Sequence, residues 1–223
     1  MSQFLTVDYL ISFLFSVIRM STPIIFCALG ALIANHAGAI NMALEGIMLT
    51  ASLIAVMFSA WLQSCWAGLL GAVIGGLLMS LLFAWLHLYK NSDLIITGLA
   101  LNTMASGGTV YLLYLVCGDK GTSRLLPSVN LPSVELPLIK DIPVLGPVLS
   151  GHNILTYLAL VAVLLCWLLV FRSRMGLRIR AVGFNPNAAS SVGISVRRIK
   201  FDAFLLSGLF ASLGGAFMSM GYL

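Results

Sequence analysis

The chain has 223 residues, of which 60% are hydrophobic and only 9% are charged, and its formal net charge is +5. Soluble domains are about 45–50% apolar and about 25% charged, so this composition excludes a water-soluble globule. The basic residues lie beside apolar runs, where they set membrane topology, so the charge is no nucleic-acid signal. The four cysteines stand singly, without metal-ligand spacing, and no metal site is expected.

Apolar runs dominate the chain and predict an all-α, polytopic transmembrane helix bundle. A membrane-spanning helix needs about 17–25 residues. We expect seven segments, at 7–18, 22–34, 39–62, 66–88, 93–116, 154–171 and 201–223. The first is short, either a thin span or an interfacial helix, and Arg19 and Pro23 are expected to separate it from the second. Two faces of small residues predict tight helix packing: Gly68, Gly71 and Gly75, and Ser207, Ala211 and Gly215.

Two loops divide this single membrane domain, 1–223. The loop 118–152 holds five prolines, which exclude a spanning helix, and we expect an ordered external or re-entrant loop. The loop 172–200 holds seven of the 12 Lys and Arg residues and no Asp or Glu. Because positive loops stay in the cytoplasm, this loop is predicted to be cytoplasmic. Counting the spans back from this loop places the N-terminus in the cytoplasm if 7–18 crosses the membrane. Arg19 would then lie outside, which is one exception to the rule that positive residues stay inside.

A short helix is predicted inside the basic loop 172–200. Asn185 suits the N-cap and Pro186 the first helical position, so the helix should run over 186–192 and end at Gly193. A loop that only sets topology would explain the charge. It would not explain a capped helix of small residues, which favours docking into a groove of a partner protein.

Three polar residues lie within apolar runs and are candidates for a substrate path. Glu45 stands four residues after Asn41, and on one continuous helix they would share a face. Together they either line a polar cavity or cap a broken helix, or Glu45 makes only a structural hydrogen bond. Asn102 either joins two helices or faces the path.

Soluble catalytic motifs are missing from the sequence, and no catalytic residue is expected. GxSxG, HExxH and the phosphate-binding P-loop do not occur. If transport is driven by ATP, the ATPase must therefore be another chain.

Three stretches carry a family resemblance. GLRIRAVGFNPNAASSVGISVRRIK (176–200) resembles the coupling segment of permease subunits of bacterial ABC importers for nucleosides and simple sugars, the ribose-like and branched-chain-amino-acid-like permease family. TPIIFCALGALIANHAGAINMALEGIMLTAS (22–52) and DLIITGLALNTMASGGTVYL (93–112) are similar to other parts of the same family, in the same order. DIPVLGPVL in the Pro-rich loop resembles the nucleoside branch.

The resemblance implies a multi-pass subunit of the bacterial cytoplasmic membrane that does no covalent chemistry. Its partners would be a second permease, cytoplasmic ATPase subunits that bind the ATP and Mg, and an external substrate-binding protein. The family implies a fold of about ten helices, so this chain is expected to be part of a longer permease. The residues that match the coupling motif are Arg180, Gly183, Asn185, Pro186, Ala189 and Gly193.

Phe184 departs from the acidic residue that the family pattern suggests at this position.

Two other classes of function are alternatives. A secondary transporter or channel without an ATPase needs ionisable groups at the membrane midplane, and an intramembrane enzyme needs paired catalytic groups.

Overall fold

A computed structural model describes residues 7–118, 126–133 and 145–221, and within these ranges the chain is helical with one isolated β-bridge, Ser133–Asn153. The helices are α1 (Val7–His36), α2 (Leu44–Leu62), α3 (Cys65–Lys90), α4 (Leu94–Cys117), α5 (Leu145–Leu149), α6 (Ile154–Trp167), which continues into a π-helical turn (Leu168–Arg172), α7 (Arg174–Phe184), α8 (Pro186–Ser191) and α9 (Val196–Met220). The all-α class is confirmed.

Six helices in the described ranges are long and apolar enough to cross a membrane, where the sequence predicted seven runs. The difference arises at the start, because 7–18 and 22–34 form one continuous helix, α1, with Pro23 inside it. Pro23 removes one backbone hydrogen bond. A helix in an apolar environment nevertheless retains its other backbone bonds, since no water is available to replace them. The expected break at Arg19 and Pro23 is therefore wrong.

The continuous α1 changes the predicted orientation of the N-terminus. With the loop 172–200 in the cytoplasm, counting back through α6, α4, α3 and α2 puts His36 on the inner side and Val7 on the outer side. Arg19 then belongs to a spanning helix and no longer to an outer loop. It lies 17 residues from His36, about 26 Å along the axis at 1.5 Å per residue, which is close to the outer boundary.

Helix α9 forms the centre of the bundle and packs against α1, α2 and α3. Small residues allow this close approach. A Cβ on Gly30 of α1 would lie 2.7 Å from the Ser207 carbonyl oxygen, and a Cβ on Gly215 would collide with the Met48 carbonyl oxygen of α2. The expected packing role of the face containing Ser207 and Gly215 is confirmed.

The other predicted face, on α3, packs against side chains. Cβ atoms at Gly71 and Gly75 would run into Phe58 and Ile54 of α2. Both faces therefore serve close helix contact.

Part of the Pro-rich loop packs against the C-terminal ends of α2 and α9. Ser59 of α2 exchanges two hydrogen bonds with Val129, donating to its carbonyl at 3.0 Å and accepting from its N–H at 2.9 Å. Leu131 N–H donates to the Met220 carbonyl at the end of α9. Segment 126–133 is thus tied to the bundle. The predicted loop structure at 119–125 and 134–144 lies outside the described residues.

Candidate functional site

Residues 173–195 of the basic loop 172–200 fold into two helices, α7 and α8, with their caps. The last five residues of the loop, 196–200, form the start of α9. The sequence did not predict α7. Ser173 caps it by accepting a hydrogen bond from the Gly176 N–H at 3.0 Å. Gly176 allows the sharp bend from the π-helical turn, because a Cβ there would collide with the carbonyl oxygens of Leu169 and Val170.

Helix α8 has the caps that the sequence predicted. Asn185 Oδ1 accepts from the N–H groups of Asn187 and Ala188, both at 3.1 Å, and Pro186 is the first helical residue. At the other end, Gly193 has a φ of +82° and donates its N–H to the Ser190 carbonyl. The helix spans Pro186–Ser191, one residue shorter than predicted. A six-residue helix held at both ends is a rigid unit with little fraying.

Most of α8 is exposed, and two large apolar side chains flank it. Phe184 is 91% exposed and Val192 is 75% exposed. Aromatic side chains of this size dominate protein interfaces when they are covered. Phe184 was noted in the sequence only as a departure from the family pattern. Its exposure, visible only in the structure, is the highest among the large apolar side chains of the described residues.

The six predicted coupling residues divide into three kinds. Asn185, Pro186 and Gly193 shape the two ends of α8 and are exposed. Ala189 is only 4% exposed, because it packs into the chain's own apolar cluster, so it anchors α8 and does not face a partner. Arg180 and Gly183 also face the bundle. The Arg180 guanidinium lies 5.4 Å from the centre of the Phe171 ring.

A short irregular segment, residues 37–43, connects α1 to α2, and we call it the α1–α2 turn. The sequence predicted a helix from 39 onwards, but α2 begins only at Leu44. Gly38 ends α1 because it adopts a φ of +68°, and its N–H and that of Ala39 donate to the carbonyls of Asn35 and Ala34. This is the Schellman arrangement, which favours glycine at the left-handed position.

Asn41 and Asn102 hold this turn from two sides. Asn41 Nδ2 donates to Ser207 Oγ of α9 at 2.9 Å, and its Oδ1 accepts from the Ala43 N–H at 3.1 Å. Asn102 of α4 accepts from the Gly46 N–H at 2.8 Å and donates to the Met42 carbonyl at 2.9 Å. Asn102 thereby satisfies a free N–H at the start of α2, whose own N-cap residue provides no side-chain bond.

These contacts correct the premise that Asn41 and Glu45 share one helical face. Asn41 lies in the turn, whereas Glu45 lies in the first turn of α2. The Glu45 side chain is exposed and has no hydrogen bond or ion pair among the described residues. A carboxylate is favoured there because the start of a helix carries a partial positive charge. The roles of Asn41, Glu45 and Asn102 on a substrate path stay predictions.

The α1–α2 turn lies deeper in the bundle than the turn between α3 and α4. Helices α2 and α3 share the outer turn at 63–64, but α2 has 19 residues and α3 has 26. The seven-residue difference corresponds to about 10 Å along the axis. Irregular backbone at such depth is tolerated where protein covers it or where it borders a polar cavity.

The α1–α2 turn also meets the basic segment. Gly38 and Gly183 are in backbone contact: a Cβ on Gly38 would lie 3.0 Å from Gly183 Cα, and a Cβ on Gly183 would collide with the His36 carbonyl oxygen. No side chain separates the two backbones at this point. The two groups of residues that the sequence singled out separately, one polar and one basic, thus touch each other through two glycines.

The described ranges contain six helices that are long and apolar enough to cross a membrane, which indicates a polytopic membrane protein. Comparison with known families agrees. The family described as "Branched-chain amino acid transport system / permease component" matches residues 13–223, and the chain belongs to it. The family resemblance drawn from the sequence is therefore confirmed.

Among individual proteins, the chain is similar to the guanosine ABC transporter permease protein NupQ of Bacillus subtilis, at 32% identity over 87% of this chain and 63% of the relative. It is similar to the nucleoside ABC transporter permease protein NupC of Lactococcus lactis at 34% identity over 88% of this chain and 63% of the relative. The chain thus spans somewhat less than two thirds of these relatives' length. No solved structure matches.

The galactofuranose transporter permease protein YtfT of Escherichia coli is more distant, at 23% identity over 89% of this chain and 54% of the relative. None of the three relatives is described as a channel or a secondary transporter.

Proposed function

We propose that this chain is a membrane-spanning subunit of an ATP-driven importer for nucleosides or related simple sugars. The observation that carries the proposal is the exposed, doubly capped α8 on a loop with seven cations and no acids. Its geometry suits a groove on a cytoplasmic ATPase subunit, which would bind the ATP and Mg. The names of the relatives NupQ and NupC support the nucleoside class. The catalytic step belongs to the ATPase partner, and this chain contributes the path.

The docking surface consists of Phe184, Val192 and the exposed side of α8. A partner of suitable chemistry has an apolar pocket for Phe184, surrounded by acidic side chains that complement the arginines. Burying an exposed aromatic side chain removes it from water and contributes to affinity. The arginines around this surface contribute mainly to the rate of association and to the orientation of the partner.

A second permease and an external substrate-binding protein complete the proposed complex. Two pairs of relatives support the second permease. Bacillus subtilis has guanosine permease proteins named NupP and NupQ, and Lactococcus lactis has nucleoside permease proteins named NupB and NupC. The chain is similar to both members of each pair. We expect it to pair with a related but different permease.

The proposed substrate path passes the first turn of α2. Asn41 and Asn102 already use their amide groups within the protein, so their part is to support the path. Glu45 has an exposed carboxylate, which accepts hydrogen bonds from hydroxyl groups such as those of a ribose. We expect Glu45→Gln to raise the KM for uptake several-fold without changing assembly of the complex. An unchanged KM would remove Glu45 from the path.

Co-purification and uptake test the proposed function. The assembled transporter is prepared with a tag on this chain, and ATP-dependent nucleoside uptake is measured in proteoliposomes. We expect Phe184→Asp and Pro186→Gly to reduce the recovered ATPase subunit at least tenfold, while Lys90→Gln, on the same side but away from α8, retains it. Nucleoside uptake that continues without any ATPase would contradict the proposal and favour a secondary transporter.

A further inference from the structure

The α1–α2 turn (37–43) is in contact with three separate elements. Gly38 touches Gly183 at the end of α7, Asn41 bonds to Ser207 of α9, and Met42 packs on α4, where a Cβ on Gly98 would collide with the Met42 side chain. Asn102 of α4 adds one hydrogen bond to the turn, at the Met42 carbonyl, and a second to the Gly46 N–H in the first turn of α2. The turn therefore connects the basic loop to two spanning helices, α4 and α9.

The contact between Gly38 and Gly183 is rigid. Because both residues are glycines, backbone meets backbone, and no flexible side chain can absorb a displacement. α7 and α8 are joined by the single residue Asn185, whose side chain caps α8. A displacement of α8 therefore has a direct route through α7 and from Gly183 to Gly38, beside the contacts of α7 and α8 with α9. Packed interiors respond to such displacements by switching between discrete arrangements, since they are not continuously deformable.

The two asparagines set how the turn can respond. Each uses its amide as donor and acceptor at once, so a shift of about 1 Å lengthens bonds of 2.8–3.1 Å beyond hydrogen-bonding range. A group freed in this way must find a new partner, because unsatisfied polar groups are costly inside a bundle. Asn102 is the more consequential of the two, since it joins α4 directly to the start of α2.

We propose that the α1–α2 turn is a mechanical relay: Gly183 and Gly38 transmit the movement of α8 to it, and Asn41 and Asn102 convert that movement into a rearrangement of α2 against α4 and α9. The relay rests on the proposed function, because it presumes an ATPase that moves α8. Asn41, Asn102 and Ser207 act in it as positioning residues. They hold the backbone of the turn and do not touch the substrate.

The test uses the assembled transporter in proteoliposomes and measures the number of substrate molecules imported per ATP hydrolysed. Gly183→Ala places a Cβ against the His36 carbonyl oxygen and so disturbs the relay at its first contact. We expect the ATPase subunit to stay bound and ATP hydrolysis to remain within about twofold of the unchanged protein, while import per ATP falls at least tenfold. Gly107→Ala is the matched control, since nothing lies within 4 Å of a Cβ there.

A second set of milder substitutions tests the relay if Gly183→Ala fails to fold. Ser207→Ala removes one acceptor of Asn41, whereas Ser219→Ala on the same helix removes only bonds within α9. We expect Ser207→Ala and Asn41→Ala each to lower import per ATP three- to tenfold. The double variant should be no worse than Asn41→Ala, because the two residues share one bond. Ser219→Ala should leave the ratio unchanged.

Two results would overturn the relay. One is import per ATP at the unchanged value in both Ser207→Ala and Asn41→Ala. The other is loss of the bound ATPase subunit in Gly183→Ala, because the contact would then serve docking and not transmission. Failure of the proposed function looks different, since the unchanged protein itself would then bind no ATPase and hydrolyse no ATP.

Discussion

Helices α4 and α9 are nearly equal in length, with 24 and 25 residues, yet their surroundings are opposite. In α9, 67% of the most apolar stretch is buried inside the protein, against 11% in α4. Both contain paired glycines: Gly214 and Gly215 of α9 face backbone at close range, whereas Gly107 and Gly108 of α4 have nothing within 4 Å of a Cβ. The same residue type is therefore a packing device in one helix and an open position in the other. What differs is the neighbour that the fold supplies.

The largest effect is expected from truncating the aromatic core of α9. Phe204 is fully buried and meets Phe83 of α3 edge to face, with ring centres 5.0 Å apart. Phe204→Ala removes that contact and leaves a cavity, so it should lower the unfolding free energy by about 3–5 kcal/mol. Tyr111→Ala on α4, where the side chain is 61% exposed, should cost far less. Thermal unfolding of the detergent-solubilised protein measures both, and equal losses would contradict the contrast.

A smaller effect is expected from filling a glycine contact. In Gly208→Ala the new methyl group would collide with the Ser80 side chain of α3, which also donates a hydrogen bond to the Phe204 carbonyl. Overpacking of this kind costs about 1–3 kcal/mol. Gly107→Ala on α4 is the control and should be neutral or slightly stabilising, because alanine is the better helix former. Comparable melting temperatures for the two variants would show that the α3–α9 contact can relax.

At their N-termini the contrast between α4 and α9 is reversed: α4 has a side-chain cap and α9 has none. Asp93 caps α4 by accepting from the Ile95 and Ile96 N–H groups at 2.8 and 3.1 Å, whereas Ser195 makes no such bond at the start of α9. Asp93→Ala should therefore destabilise by about 1 kcal/mol. Ser195→Ala should have no measurable effect on stability. Hydrogen exchange over the first turns of the two helices distinguishes these outcomes, since increased exchange at both would indicate that the caps act alike.

The smallest effect is a pH dependence near the outer end of α9. Burial lowers the pKa of His152 below its ordinary value, Arg19 adds to this, and the contact of Nε2 with the Val148 carbonyl opposes it. Because the unfolded chain then binds a proton more readily than the folded one, stability should fall as pH drops below about 6.5. His152→Phe should flatten that slope in a series of thermal melts. If the pH dependence of stability persists unchanged in this variant, another titrating group must cause it.

The α8 segment shows what local sequence can predict. Its caps at Asn185 and Gly193 and its first residue Pro186 were all foreseen, because the bonds concerned lie within three residues of each cap. The helical class and the family were also accessible, since they depend on composition and on motifs. Failure came with the continuous helix through Pro23 and the late start of α2. At Pro23 the apolar environment keeps the helix continuous. At 37–43 the hydrogen bonds of Asn41 to Ser207 and of Asn102 to Met42 hold an irregular turn where the apolar pattern favours helix.

A bundle of apolar helices with a basic loop that carries a short capped helix follows from the amino-acid sequence alone. Hydrophobic run length, charge and capping chemistry are local properties, so they can be read one segment at a time. The contact of Gly183 with Gly38, and the hold of Asn41 and Asn102 on the same turn, are visible only in the folded protein. Those partners are 56 to 166 residues apart along the chain, and only packing can bring them together.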